Sequence, residues 1–93
     1  MKKINICGIP YKIKEVPVID EADEGIIQGK IIYSQSTIYI KKGLPKKLKK
    51  QVLYHEILHG VLVALGYNEQ SADEAFVQSL ATALYKIFEI KGK

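Results

Sequence analysis

His55 and His59 are the only histidines in the 93-residue chain, and Glu56 sits beside the first of them in the stretch HEILHG. On a helix, residues four apart lie one above the other, so both imidazoles face one side and can share a metal ion. Glu56 points about a quarter turn away. Its carboxylate is therefore placed to take a proton from water rather than to bind the metal. Zn2+ suits the site: it lowers the pKa of the water it holds to about 7 and polarises a carbonyl oxygen. The chemistry implied is attack of water on an amide. A chance H-E-x-x-H in so short a chain is expected only a few times in roughly a thousand.

The mechanism needs a helix around residues 55–59, and the sequence supplies one. Pro45 suits a first helical position. Leu48, Val52, Leu53, Ile57, Val61, Leu62 and Leu65 then recur at three- and four-residue steps as one broad apolar face. Gly66 follows as an expected left-handed cap, and Gly60 inside the helix implies close packing near the metal. A second helix is expected from Ser71, with Ser71 and Glu74 matching a capping box and Phe76, Val77, Leu80, Leu84, Ile87 and Phe88 as its buried side. Upstream, KINIC and YKIKEV alternate as strands around a Gly8-Ile9-Pro10 turn. GKIIYS and STIYIKK pair as a hairpin around Ser34 to Ser36. DEADEG, residues 20–25, is an acidic surface break.

A catalytic zinc takes three protein ligands and keeps one open position. With no third histidine, a carboxylate must complete the set. The two helices should run antiparallel across a short loop, which brings the first turn of the second opposite His59. Glu74 is the first choice there and Asp73 the reserve. As a capping-box residue Glu74 would instead turn back toward Ser71, and local sequence leaves both arrangements open.

HEILHGVLVALG followed by ADEAFVQSLATAL resembles the ImmA/IrrE-type H-E-x-x-H metallopeptidases, over about the last two-thirds of the chain. The resemblance implies His55 and His59 as zinc ligands, Glu56 as general base, and Glu74 of the Asp73-Glu74-Ala75 run as third ligand. It also implies a phage or mobile-element setting. The chain departs from the pattern in placing strands where such enzymes carry further helices, and in having Phe76 and Gln78 after Glu74-Ala75. The SprT-like group shares the H-E-x-x-H helix. The fold expected is α+β: one domain over residues 1–93, with a small N-terminal antiparallel β-sheet followed by a two-helix hairpin, a minimal zincin-like arrangement.

The function expected is a zinc-dependent, gluzincin-like peptidase acting on a peptide or protein substrate. The alternative is a non-catalytic zinc-containing binding or regulatory protein. Thr37 to Ile40, TIYI, is either an edge strand on which a peptide could lie or an internal one. Tyr39, Tyr54, Tyr67 and Tyr85 are candidates to support an oxyanion.

Composition sets the remaining bounds. Hydrophobic residues make up 47% and charged residues 26%, which argues against disorder. No apolar run is long enough for a membrane span, and a signal peptide is not expected. Cys7 stands alone, so no internal disulfide forms; it reads as a small buried apolar residue. A cytoplasmic location follows as the expectation. The net charge of +4 is concentrated at Lys41 to Lys50, the one run that could attract nucleic acid. The chain has no arginine, which removes bidentate reading of phosphates and bases.

Overall fold

The computed structural model describes residues 2–19 and 27–91, with side chains through residue 88. Four strands precede the helices: β1 (Lys2–Ile6), β2 (Ile9–Val16), β3 (Gly29–Ile32) and β4 (Thr37–Lys41). Then come α1 (Lys46–Ala64), the short α2 (Asn68–Ala72) and α3 (Glu74–Lys91). The class is α+β, as the element order predicts. Two details differ from expectation. The sheet is mixed, because β4 inserts between β2 and β3 in the order β1-β2-β4-β3 and runs parallel to β2. The helical hairpin also carries an extra helical turn, α2, at its bend. Residues 20–25 lie outside the described residues.

The β1–β2 turn is tighter than Gly8-Ile9-Pro10. Ile9 and Pro10 already belong to β2, and the corner is Cys7-Gly8 with φ of 52° and 92°. Positive φ at both corner residues is what a two-residue hairpin needs to match strand twist, and glycine meets it without strain. Gly8 N–H donates to Asn5 Oδ1 (2.7 Å). Cys7 is thereby exposed rather than buried. Between β3 and β4, a 3-10 turn at Tyr33–Gln35 and Ser36 at φ 49° close the second hairpin. Thr37–Ile40 is internal, so β3 and not β4 is the sheet's edge on this side.

α1 lies between the sheet and α3 and is buried on two sides, not along one face. Val52, Leu53, Ile57 and Val61 pack on a sheet-side cluster of Ile6, Tyr11, Ile38 and Ile40. Leu58 and Leu62, with Tyr54, meet Val77, Ala81 and Leu84 of α3. Gly60 faces the sheet, where a Cβ would stand 3.0 Å from Ile31 Cδ1 and 3.1 Å from Ile6 Cδ1. Leu65, expected on the apolar face, is exposed past the helix end.

Gly66, at φ 88°, ends α1. Tyr67 N–H donates to Leu62 O (2.7 Å) and Gly66 N–H to Val63 O (3.1 Å), the paired bonds of a Schellman cap. On α3 the buried stripe is Val77, Ala81 and Tyr85. Phe76, Leu80, Ile87 and Phe88, expected inside, are substantially exposed because, among the described residues, α1 and the short α2 cover only one side of this helix. Among the described residues no helix is long and apolar enough to cross a membrane.

Candidate metal centre

At about 100° per residue, positions 55 and 59 of α1 fall in the seam between its sheet-facing and α3-facing sides. His55 and His59 are consequently held from both directions, with side chains only 18% and 12% exposed. Their Nε2 atoms lie 3.1 Å apart. Glu74 Oε1 is 2.8 Å from His55 Nε2 and 3.4 Å from His59 Nε2. Ligand atoms bonded at ~2 Å around a tetrahedral zinc are separated by roughly 3.3 Å, so this triangle matches the size such an ion requires. Among the described residues these three form a group that can hold a metal.

The far sides of the rings support the same reading. His55 Nδ1 lies 2.8 Å from Gln78 Oε1. The Gln78 amide nitrogen donates to Thr82 Oγ1 (3.2 Å), which fixes its oxygen toward the ring. His59 Nδ1 lies 3.0 Å from Ser71 Oγ, whose own proton is directed at the His59 carbonyl (3.5 Å). With Nδ1–H donating in both rings, the Nε2 lone pairs turn toward one another and toward Glu74, the orientation a metal ligand needs.

The start of α3 frees Glu74 for this position. Asp73 has extended backbone and accepts from the Phe76 N–H through Oδ1 (3.1 Å), so Asp73 is the cap. The Ser71–Glu74 capping box does not form. Ser71 belongs to α2 and is drawn inward to His59. Glu74, in the first turn of α3, is 69% exposed and reaches across to α1.

Glu56 points from α1 toward β3 and is 8% exposed. A Cβ at residue 29 would run into Val52 Cγ1 and stand 3.3 Å from both Cγ and Oε2 of Glu56. Glycine at this point of β3 thus lets the strand pass directly over the carboxylate. Burial pushes the Glu56 pKa from 4.5 up to about 7; the His55 ring offsets part of the rise and the Glu74 charge adds to it. A carboxyl poised near neutrality can both take and return a proton.

A cleft of about 400 Å³ opens between β3 and α1, lined by Lys30, Ile31, Tyr33, His55, Glu56, His59 and Glu74 among others. A second, of about 260 Å³, shares Gly29, His55 and Glu56 and continues past Gln51 and Gln78. Together they make a groove along the edge strand with the histidine pair near its middle.

Tyr33 is the lining residue that sequence reasoning missed. Burial raises its phenol pKa, as do Tyr11, Glu56 and Glu74, against a hydrogen bond with Ser71. The tyrosines singled out by sequence line neither cleft. Tyr54 and Tyr85 make an edge-on ring contact, 6.0 Å between centroids. Tyr39 bonds Gln35 on the outer face of the sheet, and Tyr67 is exposed beyond α1. The available signal for Tyr33 was its place immediately after the strand that borders the site.

No family model matches the chain, and no solved structure matches it. Among curated proteins, the endoribonuclease YbeY of Bartonella quintana (strain Toulouse) is 32% identical over 74 residues. The match covers 80% of this chain and 44% of that protein, so the chain spans less than half of its relative's length. The chain is thus similar to part of an endoribonuclease and carries a donor cluster able to hold a metal ion.

Proposed function

We propose that the chain is a zinc-dependent peptidase, with His55, His59 and Glu74 as metal ligands and Glu56 as general base. On this reading it joins the ImmA/IrrE-type enzymes. The observation that carries the proposal is the buried Glu56 carboxyl, raised to about 7, in the same groove as three convergent ligand atoms. A zinc ion held there would activate a water and polarise the scissile carbonyl.

The chain's own groups supply the rest. β3 is the last strand of its sheet, so an extended peptide can lie along its outer edge across the groove. Glu56 accepts a proton as water attacks the carbonyl carbon and delivers it to the departing amine nitrogen. Tyr33, whose side chain lines the same cleft, donates a hydrogen bond to the oxygen that gains charge.

A second reading is hydrolysis of a phosphodiester in RNA, favoured by the similarity to an endoribonuclease. The two separate cleanly. Protein purified without added metal should carry zinc and cut a mixed peptide library, with E56Q losing cleavage while keeping the metal. RNA cut by the wild type and spared by E56Q, with the peptides intact, would establish the second reading instead. Zinc present with neither substrate cut would favour a binding or regulatory protein.

A further inference from the structure

Among the described residues, α1 packs on one side of the sheet and no helix packs on the other. Cross-strand register places Lys3, Lys12, Lys14 and Lys30 together on the other side, with Thr37 and Tyr39 between them and Lys41 at the end. Lys3 stands directly opposite Lys12, and Lys14, Tyr39 and Lys30 form one row across three strands. Glu15 is the only carboxylate in the four strands. It points to the helix side, where it pairs with Lys49 of α1 (3.0 Å). The outer face therefore carries basic charge with no acid on its strands.

Two bland explanations fall short. Lysines protect edge strands from pairing with other chains, yet Lys12 and Lys14 are on β2, an internal strand. A merely solvated face gains nothing from like charges placed directly opposite, an arrangement that destabilises the sheet. What the pattern does fit is a chain of negative charge. Adjacent strands are ~4.8 Å apart and alternate residues on one strand ~7 Å, so the four ammonium groups can follow successive phosphates. Tyr39, its hydroxyl donating to Gln35 Oε1 (2.6 Å), holds an aromatic ring at the centre of the row. An aromatic ring flanked by cations selects unpaired bases, which stack, over a duplex, whose base faces are covered.

We infer that the outer face of the sheet, through Lys3, Lys12, Lys14, Lys30 and Tyr39, binds single-stranded nucleic acid. This surface lies across the sheet from the metal groove, touching it only at Lys30, and does not depend on which bond is cut there. Lys30 alone belongs to both, lining the groove from the edge strand.

The test is fluorescence anisotropy with labelled oligothymidylate and oligouridylate of about twenty nucleotides. Four phosphates neutralised imply a roughly fifty-fold loss of affinity between about 50 and 200 mM salt. K12Q/K14Q should lower affinity at least several-fold more than K46Q/K50Q, which removes equal charge at the start of α1, and should about halve the salt slope. Y39L should weaken binding further at high salt. Circular dichroism of each variant checks that it folds. A flat salt response, equal losses in the two double variants, tighter binding of a duplex, or equal displacement by polyglutamate would each overturn the inference.

Discussion

α1 and α3 are nearly equal in length, yet they are held very differently. α1 is packed on the sheet through Val52, Leu53, Ile57 and Val61 and on α3 through Leu58 and Leu62. α3 is packed on one side only, chiefly on α1, and leaves Phe76, Leu80, Ile87 and Phe88 substantially exposed. The groups needing a fixed geometry, His55, Glu56 and His59, are on the helix held from both sides. α3 adds a carboxylate from its first turn and Gln78 behind the His55 ring. A ligand set is held to productive geometry when its supports are themselves locked by packing, and α1 satisfies that condition where α3 does not.

The sharpest test of this contrast is chemical. E56Q should reduce turnover by about 10²–10⁴-fold while metal content stays unchanged, since a general base contributes on that scale. Loss of metal in E56Q would show that the carboxylate is a ligand. Next comes packing. L58A removes a side chain buried between the helices and should cost about 2–5 kcal/mol in denaturant unfolding, whereas L80A on the open face of α3 should cost under ~1 kcal/mol. Comparable losses at both positions would mean that α3 is covered on its outer side too.

The third effect lies in pH. The folded-state pKa of Glu56, about 7, is above its ordinary 4.5. The folded state therefore binds the extra proton, and stability is full below about 4.5 and lost as pH rises through about 7. In metal-free protein, E56Q should be more stable than wild type at pH 8 by on the order of 3 kcal/mol, with little difference near pH 4.5. A gap independent of pH would remove burial as the cause. The smallest effect concerns the joint between the helices. D73A deletes the cap of α3 and should cost about 1 kcal/mol. S71A should leave that cap in place, because its hydroxyl serves His59.

What the sequence made legible was local. Four-residue spacing puts His55 and His59 on one face, Gly66 marks the end of α1, and alternation marks both hairpins. What it concealed depended on partners distant in the chain. Leu58 does not fit a single apolar stripe, because α1 has two partners and the stripe is two stripes. β4 sits inside the sheet because it pairs in parallel with β2, across a connection that no periodicity describes. Ser71 and Asp73 are both good caps by composition. The choice fell to Asp73 because His59, twelve residues upstream, engages the Ser71 hydroxyl. Tyr33 enters the groove only because β3 is the edge strand beside α1.

The most direct measurement is the metal content of wild type and E74A, each purified without added metal and confirmed as folded. The account predicts about one zinc per chain in the wild type and a large loss of occupancy in E74A, with the α3 helix retained. Wild type without metal, or E74A as fully loaded as wild type, would contradict it.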